Sequence, residues 1–509
     1  MAKNYMTPGV YIEEKNAFPG SAVAVETAVP VFIGYTEKAE RNGKSITGQA
    51  IRITSFAEYI QWFGEAHLHK FSLQTASRSL VPGPITGFVA DMLIQPAEIF
   101  YCYNCIRLFF QNGGSNCYIF SLGGYKGDGT TKPVINKNDF VKHDVFVKLK
   151  KELEPTLVLI PDFVNDRDIC YELYAAVLKH CSETQSRFGI FDVIPAANET
   201  LSETCQVFRT AIGTEALNFG AAYYPWLHST IVTESEINFT NLDVTTDDLK
   251  IILPEINVIT VIDTWNAAKK AAIVPPAETA EETKRRIEKE NTNLHQSLIA
   301  CSPTYVQIMA EIKNRLNLLP PAAAMAGIYC LVDGTRGVWK APANISLSMV
   351  NSPAINITSD EQENMNIDAI TGKSINAIRP FTGLGTLVWG ARTLDGNSQD
   401  WRYINVRRTM IMIEQSLKLA CRAYVFEPND SNTWVSMKSM IINFLDNLWK
   451  QGALAGAKPE QAFDVRIGLG ATMTATDILD GIIRISVMMA LVRPAEFIVI
   501  SFEQQQQQS

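Results

Sequence analysis

A mixed α/β, multidomain fold is predicted by three features of the sequence. Short β-branched and apolar runs alternate with helical stretches between Thr156 and Trp226. Long amphipathic helical patterns dominate after Lys340, and looser polar stretches interrupt both. Alternation of buried strands with helices is the pattern of βαβ units, whose crossovers force a parallel sheet. At 509 residues the chain exceeds one ordinary core, so more than one domain, or a core with large insertions, is expected.

The elements follow in order. Ala22 to Tyr35, "AVAVETAVPVFIGY", is rich in β-branched residues and reads as a strand entering a core. A polar, Pro/Gly-rich stretch over about 41–94, with "VPGPITG" from Val81, reads as an insertion. The runs "TLVLIPD", "FGIFDVIP" and "NFGAAYYPW" read as buried strands, separated by helical stretches from Asn165 and Asn198. A second insertion is expected over about 235–319, containing the charged, solvated helix "AETAEETKRRIEKEN" from Ala277. The predicted domains are a strand arm over 1–21, an α/β region over 22–345, a helix-rich domain over 346–490, and a second arm with a glutamine tail over 491–509.

Two carboxyl-terminal helices carry periodic patterns. From Arg407 to Tyr424, Met410, Ile413, Leu417, Ala420, Cys421 and Tyr424 fall on one face. Arg408, Gln415, Lys418 and Arg422 fall on the other, a basic stripe that reads either as an ordinary solvated face or as a docking strip for an acidic partner. The helix from about Thr433 to Lys450 follows the turn "EPNDSN" and turns Trp434, Met437, Ile441, Leu445 and Leu448 to one side, as a core face.

Charge and cysteine usage exclude several classes. A net charge of −8 argues against a nucleic-acid partner, which asks for a basic face. Nine scattered cysteines and the absence of a signal-like segment fit synthesis in a reducing cytosol, without disulfides. The apolar run "IIRISVMMALV" from Ile482 is too short and too charged to span a membrane, so the chain is read as soluble.

Chemistry-bearing motifs are weak. "GYKGDGTT" from Gly124 has a phosphate-loop interval, but Thr130 stands where the lysine must be. Cys102 and Cys105 lack a second close pair beyond Cys117, so they read as core cysteines, and His67 and His69 read as surface residues. No metal and no cofactor are expected. The enzyme alternative is a hydrolase using Asp162 and Asp192, which sit at the carboxyl ends of successive apolar runs, with His228 completing an acid/base set. Acidic residues in those places also begin turns and cap helices, and no nucleophile elbow is present.

The longer motifs resemble the contractile tail sheath family of phage tails, pyocins and extracellular contractile injection systems. They are "TPGVYIEE" at Thr7, "FFQNGGSNCYIF" at Phe109, "AAYYPW" at Ala221, "AGIYCLVDGTRGVWKAPAN" at Ala326 and "INAIRPFTGLGTLVWGARTL" at Ile375. They continue with "DWRYINVRRTMIMIEQS" at Asp400, "FEPND" at Phe426, "LWKQGALAGAKPEQAFDV" at Leu448 and "RPAEFIVISFEQ" at Arg493. Only the two expected insertions fall outside the resemblance.

The resemblance implies a non-enzymatic structural subunit. It would stack as hexameric rings around an inner tube and contract to drive that tube through a target envelope. Its partners would be further copies of itself, the tube protein, and baseplate and terminal cap proteins, with no nucleic acid and no membrane insertion. Assembly in the bacterial cytoplasm, then a place in a phage tail or released particle, is implied. The arms would add strands to neighbouring subunits: Val10, Tyr11, Ile12 and Glu13 at one end and Phe497, Ile498, Val499 and Ile500 at the other, alternating as a strand requires. The stripe Arg408, Lys418 and Arg422 is the candidate tube contact, and the 346–490 region the tube-facing domain.

Overall fold

The computed structural model describes residues 22–74, 85, 87–96, 98–125, 135–271, 279–368 and 370–500. They divide into two compact units, one comprising residues 27–404 and the other 22–26 with 405–500.

The larger unit is organised by an eight-stranded sheet. In chain order its strands are β1 (Pro30–Thr36), β2 (Ala50–Ile53), β3 (Cys117–Gly124), β4 (Leu157–Leu159), β5 (Phe188–Asp192), β6 (Gly220–Tyr224), β7 (Ile375–Phe381) and β8 (Gly385–Val388). Across the sheet the order is β8-β7-β6-β5-β4-β1-β3-β2. The six strands from β7 to β3 run parallel, and β8 and β2 close the edges antiparallel. Every residue of β1, β4, β5 and β6 is buried, as strands covered on both faces must be, which explains their continuous apolar composition. The sheet is the mixed α/β architecture expected from the alternating runs. It also takes in β7 and β8 from a stretch that read as purely helical.

The helices covering the sheet are fixed at their ends. They include α1 (Cys102–Gln111), α2 (Arg167–Thr184), α3 (Leu201–Ala211) and α4 (Ala322–Arg336). The Asp166 carboxylate caps α2 by accepting from the Asp168 and Ile169 amides, and Thr200 with Glu203 forms a reciprocal capping box on α3. The alanine-rich α4 is buried along most of its length and crosses α1 closely. At Gly327 an added Cβ would stand 2.6 Å from the Phe109 carbonyl oxygen, so only glycine fits that crossing.

A second core in the same unit is built jointly by the two expected insertions. Phe71, Ile85 and Leu93 from the first pack with Phe239, Leu249, Ile262, Leu294, Tyr305, Ile308 and Leu316 from the second, and with Val232 just before it. Backbone bonds stitch the stretches together: the Phe71 amide donates to Asn241, the Asp243 amide to Phe71, and the Ile85 amide to Ile252. The Arg315 guanidinium donates to the Leu93 and Ala90 carbonyls at 2.6 and 2.7 Å. Each stretch alone has too few apolar residues to bury a core, whereas together they do.

The smaller unit contains α5 (Ile404–Cys421) and α6 (Ser431–Lys450), with Asp430 capping α6 through the Thr433 amide. Met437, Ile441, Leu445 and Leu448 are buried along α6, on the face the periodicity selects. An antiparallel ribbon completes it: β9 (Phe463–Ile467) pairs with β10 (Ile485–Met489) from Phe463 opposite Met489 to Ile467 opposite Ile485.

Candidate assembly surface

The smaller unit exposes backbone and apolar side chains in strand-like form. The β9–β10 ribbon has two strands, so among the described residues each has a ladder partner on one side only. Two-stranded ribbons are marginal alone, and open edges invite a further strand. Past β10, Leu491 makes one bridge to Leu454, after which the chain to residue 500 has no assigned helix or strand. Phe497, Ile498, Val499 and Ile500 are exposed by 68, 80, 88 and 69%. The arm residues Val10, Tyr11, Ile12 and Glu13 lie outside the described residues. The chain first described beyond them runs along α5, where the Val25 amide donates to Ser416 Oγ at 3.0 Å.

The basic stripe needs correction. Lys418 and Arg422 are exposed, but Arg408 is buried, 4% exposed, and makes polar contacts of its own. Residues Ile404 to Thr409, the first turns of α5, are all buried, so position on the helical wheel did not decide burial there. The solvated cations are confined to the carboxyl-terminal end of the helix. Burial pushes the pKa of neighbouring Arg407 down, and the charge of Glu414 opposes that shift.

The residues of the enzyme alternative are brought into separate structural tasks. The Asp162 carboxylate, wholly buried, accepts from the Tyr35 amide of β1 at 2.7 Å and from the Cys102 amide, which opens α1, at 2.8 Å. In the sheet β1 lies between β3 on one side and β4 on the other, so this is the switch point where open α/β sheets bind ligands. Here the protein's own carboxylate fills the helix terminus. Gly34 leaves it room, since a Cβ there would meet Asp162 Oδ2 at 2.5 Å. Asp192 does the same for α4, accepting from the Ala322 amide at 2.7 Å. Burial pushes both carboxyls up to about 7, against backbone hydrogen bonds that lower them. His228 is half-buried in the short strand Leu227–Ser229, and its backbone pairs with Leu318 and Ser352. That strand belongs to a separate three-stranded sheet from β4 and β5, which lead into Asp162 and Asp192.

The remaining motifs are structural too. Cys102, Cys105 and Cys117 are buried thiols whose pKa values burial raises. No group of three or more metal-ligating side chains occurs among the described residues. His69 was expected on the surface but is 5% exposed. Its Nε2 accepts from the Phe100 amide at 2.9 Å within an aromatic cluster with His67, Phe100 and Tyr125, and burial lowers its pKa to about 3. Most of the "GYKGDGTT" loop lies outside the described residues. Among those residues no helix is long and apolar enough to cross a membrane.

Sequence reasoning missed the β9–β10 ribbon. Its second strand lies inside "IIRISVMMALV", where the period-two pattern of Ile485, Val487 and Met489, all half-buried against exposed Ser486 and Met488, was the available signal.

The parallel sheet, the two-part second core and the open-edged smaller unit define a multidomain mixed α/β protein. Residues 397–505 match the phage tail sheath C-terminal domain family. Over 99% of both chains, the protein is similar to the sheath of an extracellular contractile injection system, PVC, in its contracted state, with 28% identity and a TM-score of 0.58. The contracted helical sheath of the anti-feeding prophage is similar over 98% of this chain and 100% of that one, at 28% identity and a TM-score of 0.61. Among curated proteins, the tail sheath protein of Vibrio phage KVP40 is 24% identical over 191 residues, 38% of this chain and 27% of that protein. That of Burkholderia phage BcepMu is 27% identical over 163 residues, 31% of this chain and 34% of that one. The matched stretches thus span about a third or less of these curated relatives. The chain is a relative of the contractile tail sheath proteins.

Proposed function

We propose that this protein is the structural subunit of a contractile sheath, stacking as hexameric rings around an inner tube and shortening to drive that tube through a target envelope. The observation that carries the reading is the Phe497–Ile500 segment: four consecutive large apolar side chains, each at least 68% exposed, in a chain that also offers an open-edged ribbon. Such a segment is an aggregation hazard unless another copy supplies the ladder, and strand addition supplies it. In this reading Val10–Glu13 of one subunit joins the same intermolecular sheet as Phe497–Ile500 of a neighbour, and β9–β10 is its foundation. The likeness to sheaths in the contracted state supports contraction.

Lys418 and Arg422 would face the tube, since individually weak charge contacts suit a grip that must release. Copies of itself, the tube, a baseplate and a terminal cap are the partners. Similarity to chains of the anti-feeding prophage baseplate, 28% identical with a TM-score of 0.59, supports a place next to one. The protein would assemble in the bacterial cytoplasm and act in a phage tail or released particle. Asp162 and Asp192 are engaged on backbone amides, which supports a structural role over catalysis. Electron microscopy of the purified protein tests the reading: rings or tubular polymers are expected, and a compact oligomer of fixed stoichiometry refutes it.

A further inference from the structure

The chain leading into β4 is fastened by a buried arginine whose acceptors are carbonyls and one imidazole. Arg187, just before β5, is 2% exposed. Its Nε donates to the Pro155 carbonyl at 3.0 Å, its Nη2 to the Leu149 and Glu152 carbonyls, and its Nη1 to His180 Nε2 at 2.5 Å. A guanidinium only donates, so the last contact fixes His180 as a neutral ring with its proton on Nδ1. His180 stands on α2, is 3% exposed, and stacks on Phe146 with ring centroids 4.9 Å apart. Phe146 lies in the short helix Val145–Leu149, whose carboxyl-terminal carbonyls Arg187 thus satisfies. The segment 136–155 is held at its other end too, where the Tyr35 hydroxyl donates to Asp139 at 2.6 Å and accepts from the Asn136 amide at 3.0 Å. Between these fastenings Phe140, Val145 and Leu149 are buried, while Val141, Val147 and Leu153 face outward, each more than half exposed. The segment is a flap with one packed face.

We infer that His180 and Arg187 form an acid-released latch: protonation of His180 removes the acceptor of Arg187, sets two cations in contact, and frees the 136–155 flap. The groups around His180 decide the direction. Burial, then the charges of Arg187 and Lys150, push its pKa down to about 4, and Glu183 on its own helix pulls the other way. Glu183 is already paired with Lys150 at 2.6 Å. The Cys181 thiol beside Arg187 is kept neutral by burial, its pKa pushed up to about 12, and Glu152 partly offsets the Arg187 charge. A solvated imidazole titrates near 6.5, so the open flap takes up the proton more readily than the closed one. Opening therefore rises by up to about tenfold per pH unit as pH falls from about 6.5 to about 4. At neutral pH the latch is shut. This device lies within one subunit and stands apart from the sheath reading.

The test is amide hydrogen exchange of the full chain, read by mass spectrometry as protection factors at pH 6.5 and pH 4.5. In wild type, protection across 140–153 should fall by at least about tenfold at the lower pH, while that of α3 holds to within about threefold. H180Q keeps an amide oxygen for Arg187 and cannot titrate, so its flap should change no more than α3. Slow deuteration of the His180 Cε1 hydrogen in wild type reads the titration of the ring without any substitution, and its midpoint should lie well below 6.5. Unchanged wild-type protection across 140–153 overturns the inference. An equal loss in H180Q also overturns it, by moving the titrating group to Asp139 or Glu183. A His180 midpoint near 6.5 does the same, since acid then favours neither state, and the two wild-type readings decide the matter even where H180Q does not fold.

Discussion

The substitution Asp162→Asn separates structural from catalytic duty at the switch point. In the folded protein burial pushes this carboxyl up to about 7, against about 3.9 in the unfolded chain. Between those values the folded state binds the extra proton, so stability falls as pH rises towards 7 and is flat above it. Between pH 5 and pH 8 the loss is on the order of 2–3 kcal/mol, just under two units at about 1.36 kcal/mol each. Asparagine cannot titrate and keeps one of the two acceptor contacts to the Tyr35 and Cys102 amides. The variant should therefore lose that share of the pH dependence while Asp192 retains its own. Urea midpoints of dispersed subunits at pH 5 and pH 8 measure the difference, and polymer formation at pH 7 should change little. An unchanged slope refutes the burial argument, and a large functional loss with normal folding reopens the enzyme alternative.

Three further outcomes follow from the same geometry. Val499→Pro deletes a ladder donor from a residue 88% exposed, so melting of the subunit should shift by no more than about 0.5 kcal/mol while polymers disappear on electron micrographs. Reversing Lys418 and Arg422 to glutamate should abolish tube filling, and raised salt should weaken filling by wild type in the same direction; filling insensitive to both removes the charge contact. Asn317→Ala removes a side chain that accepts from the Ser229 hydroxyl and the Val232 amide and donates to the Val232 and Lys313 carbonyls. It should cost about 2–4 kcal/mol, seen as faster hydrogen exchange across 232–316; unchanged exchange would show that the second core does not depend on it.

What was legible in the sequence was whatever local periodicity encodes. β4, β5 and β6 were readable because strands buried on both faces are continuous apolar runs, and the buried face of α6 because its spacing is helical. β7 was not, because "INAIRPF" carries an arginine and a proline at its edge-ward end and its membership depends on pairing with β6 far earlier in the chain, Ala222 opposite Ile375. The union of the two insertions was equally hidden, since Phe71 and Leu242 meet only in the fold. Arg408 shows the limit of a helical wheel, which assigns a face and does not say what packs on it. The left-handed backbone at Phe426, with φ of +74°, runs against the propensity of a bulky residue, so no local pattern announces it.

The two units differ in how their free energy is arranged, and that difference bears on mechanism. The sheet unit closes internally: its parallel strands are flanked by antiparallel ones, and buried carboxylates tie α1 and α4 to it. The smaller unit leaves its ribbon and tail unfinished. Seating one face of the 497–500 segment in another copy buries two large apolar side chains, worth about 3–6 kcal/mol before the ladder is counted. At about 1.4 kcal/mol per tenfold, that is two to four decades in the concentration needed to assemble. If the proposed strand addition occurs, stabilisation of that size makes assembly the completion of folding for this unit. If the proposed arms hold such ladders in both states of a sheath, they cancel from the energy of contraction. The driving force then has to reside in side-chain contacts between bodies, because only interactions that differ between two states can shift their balance.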